Sequence, residues 1–340
     1  MSTQITPQQR AQNFGAYTRQ HKQTLGSKTG TANDHIEFEV PKARLLQSIS
    51  LLCNVKINQN GDLFPNNTVN DKLELYNVLR RVSIDYNNGF SPVVASGKDI
   101  AVLNMLRIDP TTIIPSETAD ASMCTFEDEG TTANYYFMLE LPLTLNERDP
   151  VGLILAQNGQ TLINFSVDIA NKVGAHEVTS VKVTPIITSF SVPTSELAFP
   201  DLSVLKVVDS RKEVFSAGAP NVVKLPIGMI YRKIIFGLFD DEGNAITPDK
   251  ITSNIELIFN GADVPYSVDA QALRLMTVSS TGSKLPEGYY AFDFATAGVP
   301  NMAGSRDYID CETLSTFEVR FTSAESGKLT IISEKISRLI

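Results

Sequence analysis

In one short stretch after another, apolar residues return at every second position. In "HIEFEV", Ile36, Phe38 and Val40 alternate with Glu37 and Glu39. The same step marks Ile163, Phe165, Val167 and Ile169, then Val181 and Val183. It returns at Ile255, Leu257 and Phe259, at Tyr290, Phe292 and Phe294, and at Phe317, Val319 and Phe321. Successive side chains of a strand point to opposite faces, so such a stretch buries one face and wets the other. Turn dipeptides punctuate the stretches: Asn60-Gly61, Asn88-Gly89, Asn158-Gly159, Asn260-Gly261 and Gly243-Asn244. Many short strands between such turns predict antiparallel β-sandwiches rather than a parallel α/β sheet.

Few segments read as helix. Residues 6–25 open with Thr6, Pro7 and Gln9, a capping box with proline at the first helical position. Their apolar stripe is thin (Ala11, Phe14, Tyr17, His21, Leu25), so the helix needs a partner surface. Gly26 is a stop, and "GSKTGTA" reads as a flexible hinge. "SGKDIAVLNMLRI" sets Ile100, Leu103 and Leu106 at helical spacing, and "TVNDKLELYNVLRRV" fits helix or strand. At 340 residues the chain has the length of about two domains. Pro185, Pro193 and Pro200 mark a break between halves with no direct repeat between them. The expected plan is a basic arm over residues 1–34, one sandwich over 35–190 and a second over 191–340.

Chemical motifs are scarce. The three histidines, His21, His35 and His176, lack metal-ligand spacing to one another or to a cysteine. His176 reads as a loop histidine at a strand edge rather than a general base. "ESGKLT" and "TGSKL" fall short of a phosphate-binding loop and read as hairpin turns. "FDDEGNAI" and "TFEDEGTT" read as solvated acidic turns without the spacing of a calcium loop. Paired carboxylates for glycoside cleavage remain open among 38 acidic residues, but the chain has no tryptophan for stacking sugars. The sequons at Asn66 and Asn164 carry little weight without a secretory leader. Cys53, Cys124 and Cys311 are scattered, as expected of reduced, mostly buried thiols in a chain made in a cytoplasm; a disulfide between two of them stays open. No stretch approaches the roughly 18 apolar residues that span a bilayer. Neither a cofactor, a metal site nor an enzymatic activity is expected.

Charge is distributed unevenly. The first acidic residue is Asp34, and before it stand Arg10, Arg19, Lys22 and Lys28. The opening segment carries +4 and the remainder −13, a net of −9. The acidic remainder argues against a broad nucleic-acid-binding face. A β-rich chain with a basic arm and no catalytic motif points to an interaction or structural protein.

Several stretches sharpen that class. They are, in order, "TPQQRAQNF", "NVLRRVSIDYNNG", "SGKDIAVLNMLRI" and "ANYYFMLELPLTLNERDPVGLILAQNGQTLINFSVDIAN", the last with Asp149, Gly152, Leu155, Ala156, Leu162 and Phe165. "LPEGYYAFDFA" and "TLSTFEVRFTSAESGKLTIISEKISR" follow. Together they resemble the double jelly-roll major capsid proteins of tectivirus-type bacteriophages, the lineage shared with adenovirus. The resemblance is spread over most of the chain and is thinnest over residues 200–270. It implies an all-β fold of two jelly-roll sandwiches side by side, with a short N-terminal amphipathic helix. It also implies homotrimers of pseudo-hexagonal outline that tile an icosahedral shell over an internal membrane, made in the host cytoplasm and located in the virion. Neighbouring trimers and minor capsid and vertex proteins would be partners, with no sequence-specific nucleic-acid binding. Arg10, Phe14, Tyr17, Arg19, Lys22, Leu25 and Lys28 would then face the inner lipid or a neighbouring subunit. The other reading is a secreted or surface β-sandwich binding protein, for carbohydrate or adhesion.

Overall fold

A computed structural model describes residues 6–58, 68–87, 89–107, 124–125, 132–145, 151–157, 162–282, 284–296 and 308–338. The chain divides into two compact units. The first takes Met1–Ala101, Thr111–Lys206 and Arg338–Ile340, and the second takes Val102–Pro110 and Val207–Ser337.

The strands of the first unit are β1 (Gln20–Thr24), β2 (Lys28–Gly30), β3 (His35–Glu39), β4 (Leu45–Asn58), β5 (Leu79–Tyr86) and β6 (Phe90–Ala95). There follow β7 (Cys124–Thr125), β8 (Thr132–Pro142), β9 (Ile154–Leu155), β10 (Ile163–Ile169), β11 (Lys172–Val173) and β12 (His176–Phe190). One sheet runs β1-β12-β4-β8-β7, with β2 and β11 also on β12 and β9 on β4. The other strands run β6-β5-β10-β3. The chain therefore switches sheet between β3 and β4, between β4 and β5, and again between β8, β10 and β12. Alternation decides what is buried: Leu51, Cys53, Val55 and Ile57 of β4, Tyr135, Phe137 and Leu139 of β8, and Val181 and Val183 of β12. Ile36, Phe38, Phe165 and Val167 are buried too, with the rings of Phe38 and Phe165 stacked at 5.8 Å.

The second unit holds β13 (Val204–Phe215, apart from its first three residues), β14 (Pro220–Leu225), β15 (Ile230–Asp240), β16 (Ile255–Phe259), β17 (Asp263–Val268), β18 (Tyr289–Asp293), β19 (Ile309–Asp310), β20 (Phe317–Thr322) and β21 (Gly327–Arg338). Here β13-β21-β15-β18 form one layer, with β19 on β15, and β14-β20-β16-β17 form the other. Phe317 and Phe321 of β20 meet Tyr231 and Phe215 edge to face at 5.1 and 5.5 Å, a preferred geometry for buried rings. Two ion pairs are buried in this unit: Lys233–Asp293 at 2.9 Å and Arg232–Glu334 at 3.6 Å.

Among the described residues there are four α-helices, α1 (Pro7–Tyr17), α2 (Val69–Glu74), α3 (Gly97–Met105) and α4 (Ala270–Thr281), besides short 3₁₀ turns. Asn260-Gly261 is a left-handed turn pair, φ 52° and 73°, that closes the β16-β17 hairpin as its residue types predict.

Several expectations are corrected. The helix expected over 6–25 stops at Tyr17. Beyond it, the polar run "QHKQT" pairs as β1 with β12, and the expected hinge contains β2. Backbone bonds to an available sheet edge outweigh a thin helical stripe. "TVNDKLELYNVLRRV" is both candidates in succession: α2, a 3₁₀ turn over Leu75–Val78, then β5. "ESGKLT" is no hairpin, because β20 and β21 lie in different layers. In "TGSKL", Gly282 at φ 73° ends α4. Pro185 lies inside β12 rather than in a linker, and His176 is buried as that strand's first residue. Cys53 and Cys311 are buried free thiols; burial pushes the Cys53 thiol well up and that of Cys311 up to about 12. The Cys124 side chain, Asn60-Gly61, Asn66, Asn88, the acidic run 126–130, Asp149 and Asn158-Gly159 lie outside the described residues.

Candidate functional site

The N-terminal segment was singled out by its charge, and the structure shows what holds it. Thr6 and Gln9 cap α1 reciprocally: the Gln9 N–H donates to Thr6 Oγ1 at 3.2 Å, and the Thr6 N–H to Gln9 Oε1 at 3.1 Å. At the other end the Thr18 hydroxyl and N–H both donate to the Phe14 carbonyl, at 2.6 and 3.0 Å. Phe14 is buried in a cluster with Leu45 and Leu153. Its ring meets Phe190 edge-on at 5.1 Å, and Leu155, Val192 and Leu202 pack around. This one aromatic anchors α1, whose other apolar positions are small or exposed.

The segment then runs along β12. The Arg19 N–H donates to Ser191 Oγ at 2.9 Å, and the Ser191 N–H returns to the Arg19 carbonyl at 3.0 Å. Registry continues from Gln20 opposite Phe190 to Thr24 opposite Ile186. The Leu25 N–H donates to the Pro185 carbonyl at 2.8 Å. Proline has no N–H to offer a ladder, and it stands where β1 ends and β2 has not begun. At Gly30 a Cβ would come within 2.8 Å of Ile169 Cδ1 and 3.0 Å of Ile36 Cδ1, so a side chain there would have to displace the tips of both isoleucines.

The expected site residues thus separate. Phe14 is buried in its own unit's core, and Leu25 is half-buried. The Lys28 ammonium donates to the Glu37 carbonyl and lies 5.2 Å from the centre of the Phe38 ring. Arg10 is half-buried, and its charge helps hold the Asp201 carboxyl below the usual range. The larger cause there is Ser203, whose hydroxyl and N–H donate at 2.6 and 2.9 Å. Tyr17, 63% exposed, Arg19 and Lys22 remain at the surface. Gln20 Nε2 donates to Gln47 Oε1 at 3.0 Å within the unit.

Two exposed apolar patches escaped the sequence reading. On the outer face of the first unit's larger sheet, Leu52 of β4 stands directly opposite Met138 of β8, with Tyr136 one pair along. On α4, Leu275, Met276 and Val278 are exposed. The helix itself was readable from Asp269, which caps the Gln271 and Ala272 N–H groups at 3.0 Å, and from Gly282 at its end. Among the described residues, no cluster of three His, Cys, Asp or Glu side chains could hold a metal.

No family model matches the chain, and no curated protein sequence matches it. Solved structures match its fold. The STIV major capsid protein, from the Sulfolobus turreted icosahedral virus, aligns with TM-score 0.69 at 15% identity, over 94% of this chain and 97% of that one. The PBCV-1 virus capsid chain aligns with 0.67 at 12% identity, over 95% of each. The major capsid protein P2 of bacteriophage PM2 aligns with 0.61 at 11% identity, over 94% of this chain and 98% of that one. Identities this low speak for the fold, and the fold is the double jelly roll: each unit is one jelly-roll sandwich.

Proposed function

We propose that this chain is the major capsid protein of a virus, a structural block that works by assembly rather than catalysis. The observation that carries the reading is the double jelly roll itself, shared end to end with viral capsid proteins at nearly equal chain length. Three chains form a trimer of pseudo-hexagonal outline, and trimers tile an icosahedral shell over an internal membrane. Contacts within a trimer are extensive and persistent; those between trimers are smaller and reversible, which lets a growing shell correct errors. A secreted carbohydrate-binding or adhesion module, the other reading of the sequence, is not favoured by these fold matches.

The N-terminal segment would face the membrane with Tyr17, Arg19 and Lys22, three of its exposed expected contact residues; Lys28 is exposed too, but its ammonium is held on the Glu37 carbonyl. Each cation near an anionic surface contributes about 1 kcal/mol, so a single chain binds weakly and a trimer or lattice binds by avidity. Native mass tests the block: a species near three times 37.2 kDa is expected, and a monomer refutes it. Flotation with anionic vesicles tests the surface. Deleting the segment would also strip β1, β2 and Phe14 from the first unit, so the discriminating variant is R19E/K22E. It is expected to stay trimeric and to lose flotation; unchanged flotation moves the segment to protein contacts.

A further inference from the structure

The exposed face of α4 is unlike that of a helix meant for water. Its one charged residue, Arg274, is turned back on its own unit: the guanidinium donates to the carbonyls of Leu285 and Pro286, both at 3.1 Å, and lies 5.9 Å from the Tyr290 ring centre. What faces outward is Gln271, Leu275, Met276, Val278, Ser279 and Ser280, with Leu275 at 60% and Met276 at 57% exposed. A surface helix ordinarily sets charged and polar residues on that side. The second apolar patch lies on the first unit. Leu52, Tyr136 and Met138 share one exposed sheet face, with Lys56 and Lys182 exposed at one end and half-buried Glu140 at the other. An uncharged centre of Leu, Met and Tyr inside a charged rim is the composition of an interface core.

We propose that the Leu275–Met276 ridge of α4 docks on the Leu52–Tyr136–Met138 face of a second copy of this chain. Each chain carries both the helix patch and the sheet patch. Pairing α4 with α4 would leave every sheet face exposed and stop at two copies. Pairing ridge with face consumes both patches and repeats from copy to copy, a head-to-tail arrangement that closes into a ring when the rotation between copies permits. The inference rests on the trimer reading above, in which the ring closes at three. A stable interface buries about 800 Å² on each partner, so these side chains form its centre and the charged and polar neighbours its edge. Methionine on both sides suits such a contact, because its unbranched chain adapts to the opposing surface.

Native mass of the full chain and of two variants, Met276→Glu and Met138→Glu, provides the test. Each variant alone is expected to fall from three times to once the mass of the chain, with circular dichroism unchanged and a cooperative melting transition retained, lowered only by the lost association. Mixed in equal amounts, the two variants are expected to pair as a dimer, because one intact ridge then meets one intact face. Trimers from both single variants would overturn the inference while leaving the trimer reading intact. A monomeric wild-type chain would overturn both. Loss of assembly in only one variant, or a mixture that stays monomeric, would overturn the pairing of these two surfaces. If a glutamate disturbs folding, the double variant M138C/M276C replaces it. Mild oxidation should then link copies into dimers and trimers on a denaturing gel, with either single cysteine variant staying at one chain; absence of such linkage counts against the contact.

Discussion

Helices α3 and α4 stand at matching points of their local sequence: each follows directly on a β-hairpin, β5-β6 and β16-β17. Each has a polar cap, Ser96 with Asp99 in one and Asp269 in the other. Their fates differ. Every residue of α3 from Asp99 on is buried, as is Leu106 beyond it, whereas α4 buries only Ala270, Leu273 and Thr277. Local sequence makes both helices; burial is decided by what surrounds them. An apolar side chain on α3 belongs to the folded chain's stability. An exposed one on α4, such as Leu275 or Met276, adds little to that core, and the two classes should separate in measurement.

The largest expected effect is on the α3 side. Ile100, fully buried, leaves a cavity when replaced by alanine, and unfolding free energy should drop by about 2–5 kcal/mol. Leu275→Ala, measured by the same denaturant titration on the dissociated chain, should stay within about 0.5 kcal/mol. Equal losses would break the comparison. The third helix sharpens it. Phe14→Ala removes the one aromatic that anchors α1, so residues 6–30 should become accessible to limited proteolysis while the rest of the first unit stays protected. Protection that survives the substitution would mean that the β1-β12 ladder alone holds the segment. Asp269→Ala, which strips the α4 cap, should cost about 1 kcal/mol and leave the remaining strands of its unit untouched, read by hydrogen exchange along 270–281. The smallest effect is with pH. Asp201 titrates below its ordinary value when folded, so the stability it contributes is full above about pH 4 and fades as pH falls through the lowered value. Asp201→Asn should flatten that acid limb slightly; an unaltered limb would remove Asp201 from the account.

The strands were readable because period two has no competitor where β-branched and aromatic residues alternate with polar ones. Ile36, Phe38, Phe165, Val167, Phe317, Val319 and Phe321 are all buried as that pattern requires. The pattern was blind to β1, because "QHKQT" holds no apolar residue and is held by backbone bonds to β12 and the Gln20–Gln47 side-chain bond. It also missed α4, whose apolar residues are spread around the helix instead of forming one stripe. The basic character of the N-terminal segment was plain from charge counting. Its division into docked groups, Arg10 and Lys28, and exposed ones, Arg19 and Lys22, depends on Asp201 and Glu37, residues far along the chain or on another strand.

The pairing of β1 with β12 has a consequence for how the chain is made. Gln20 leaves the ribosome long before Phe190, its partner across the ladder. At ordinary synthesis rates that interval is roughly 10–30 s. During it the first-made segment has no edge to bind, and Phe14 has no Phe190 to pack against. The segment that comes first is therefore among the last to find its place in the first unit. Until β12 emerges, that unit exposes an unpaired strand edge on a nascent chain crowded among identical ones, so the final residues of β12 close it to mispairing.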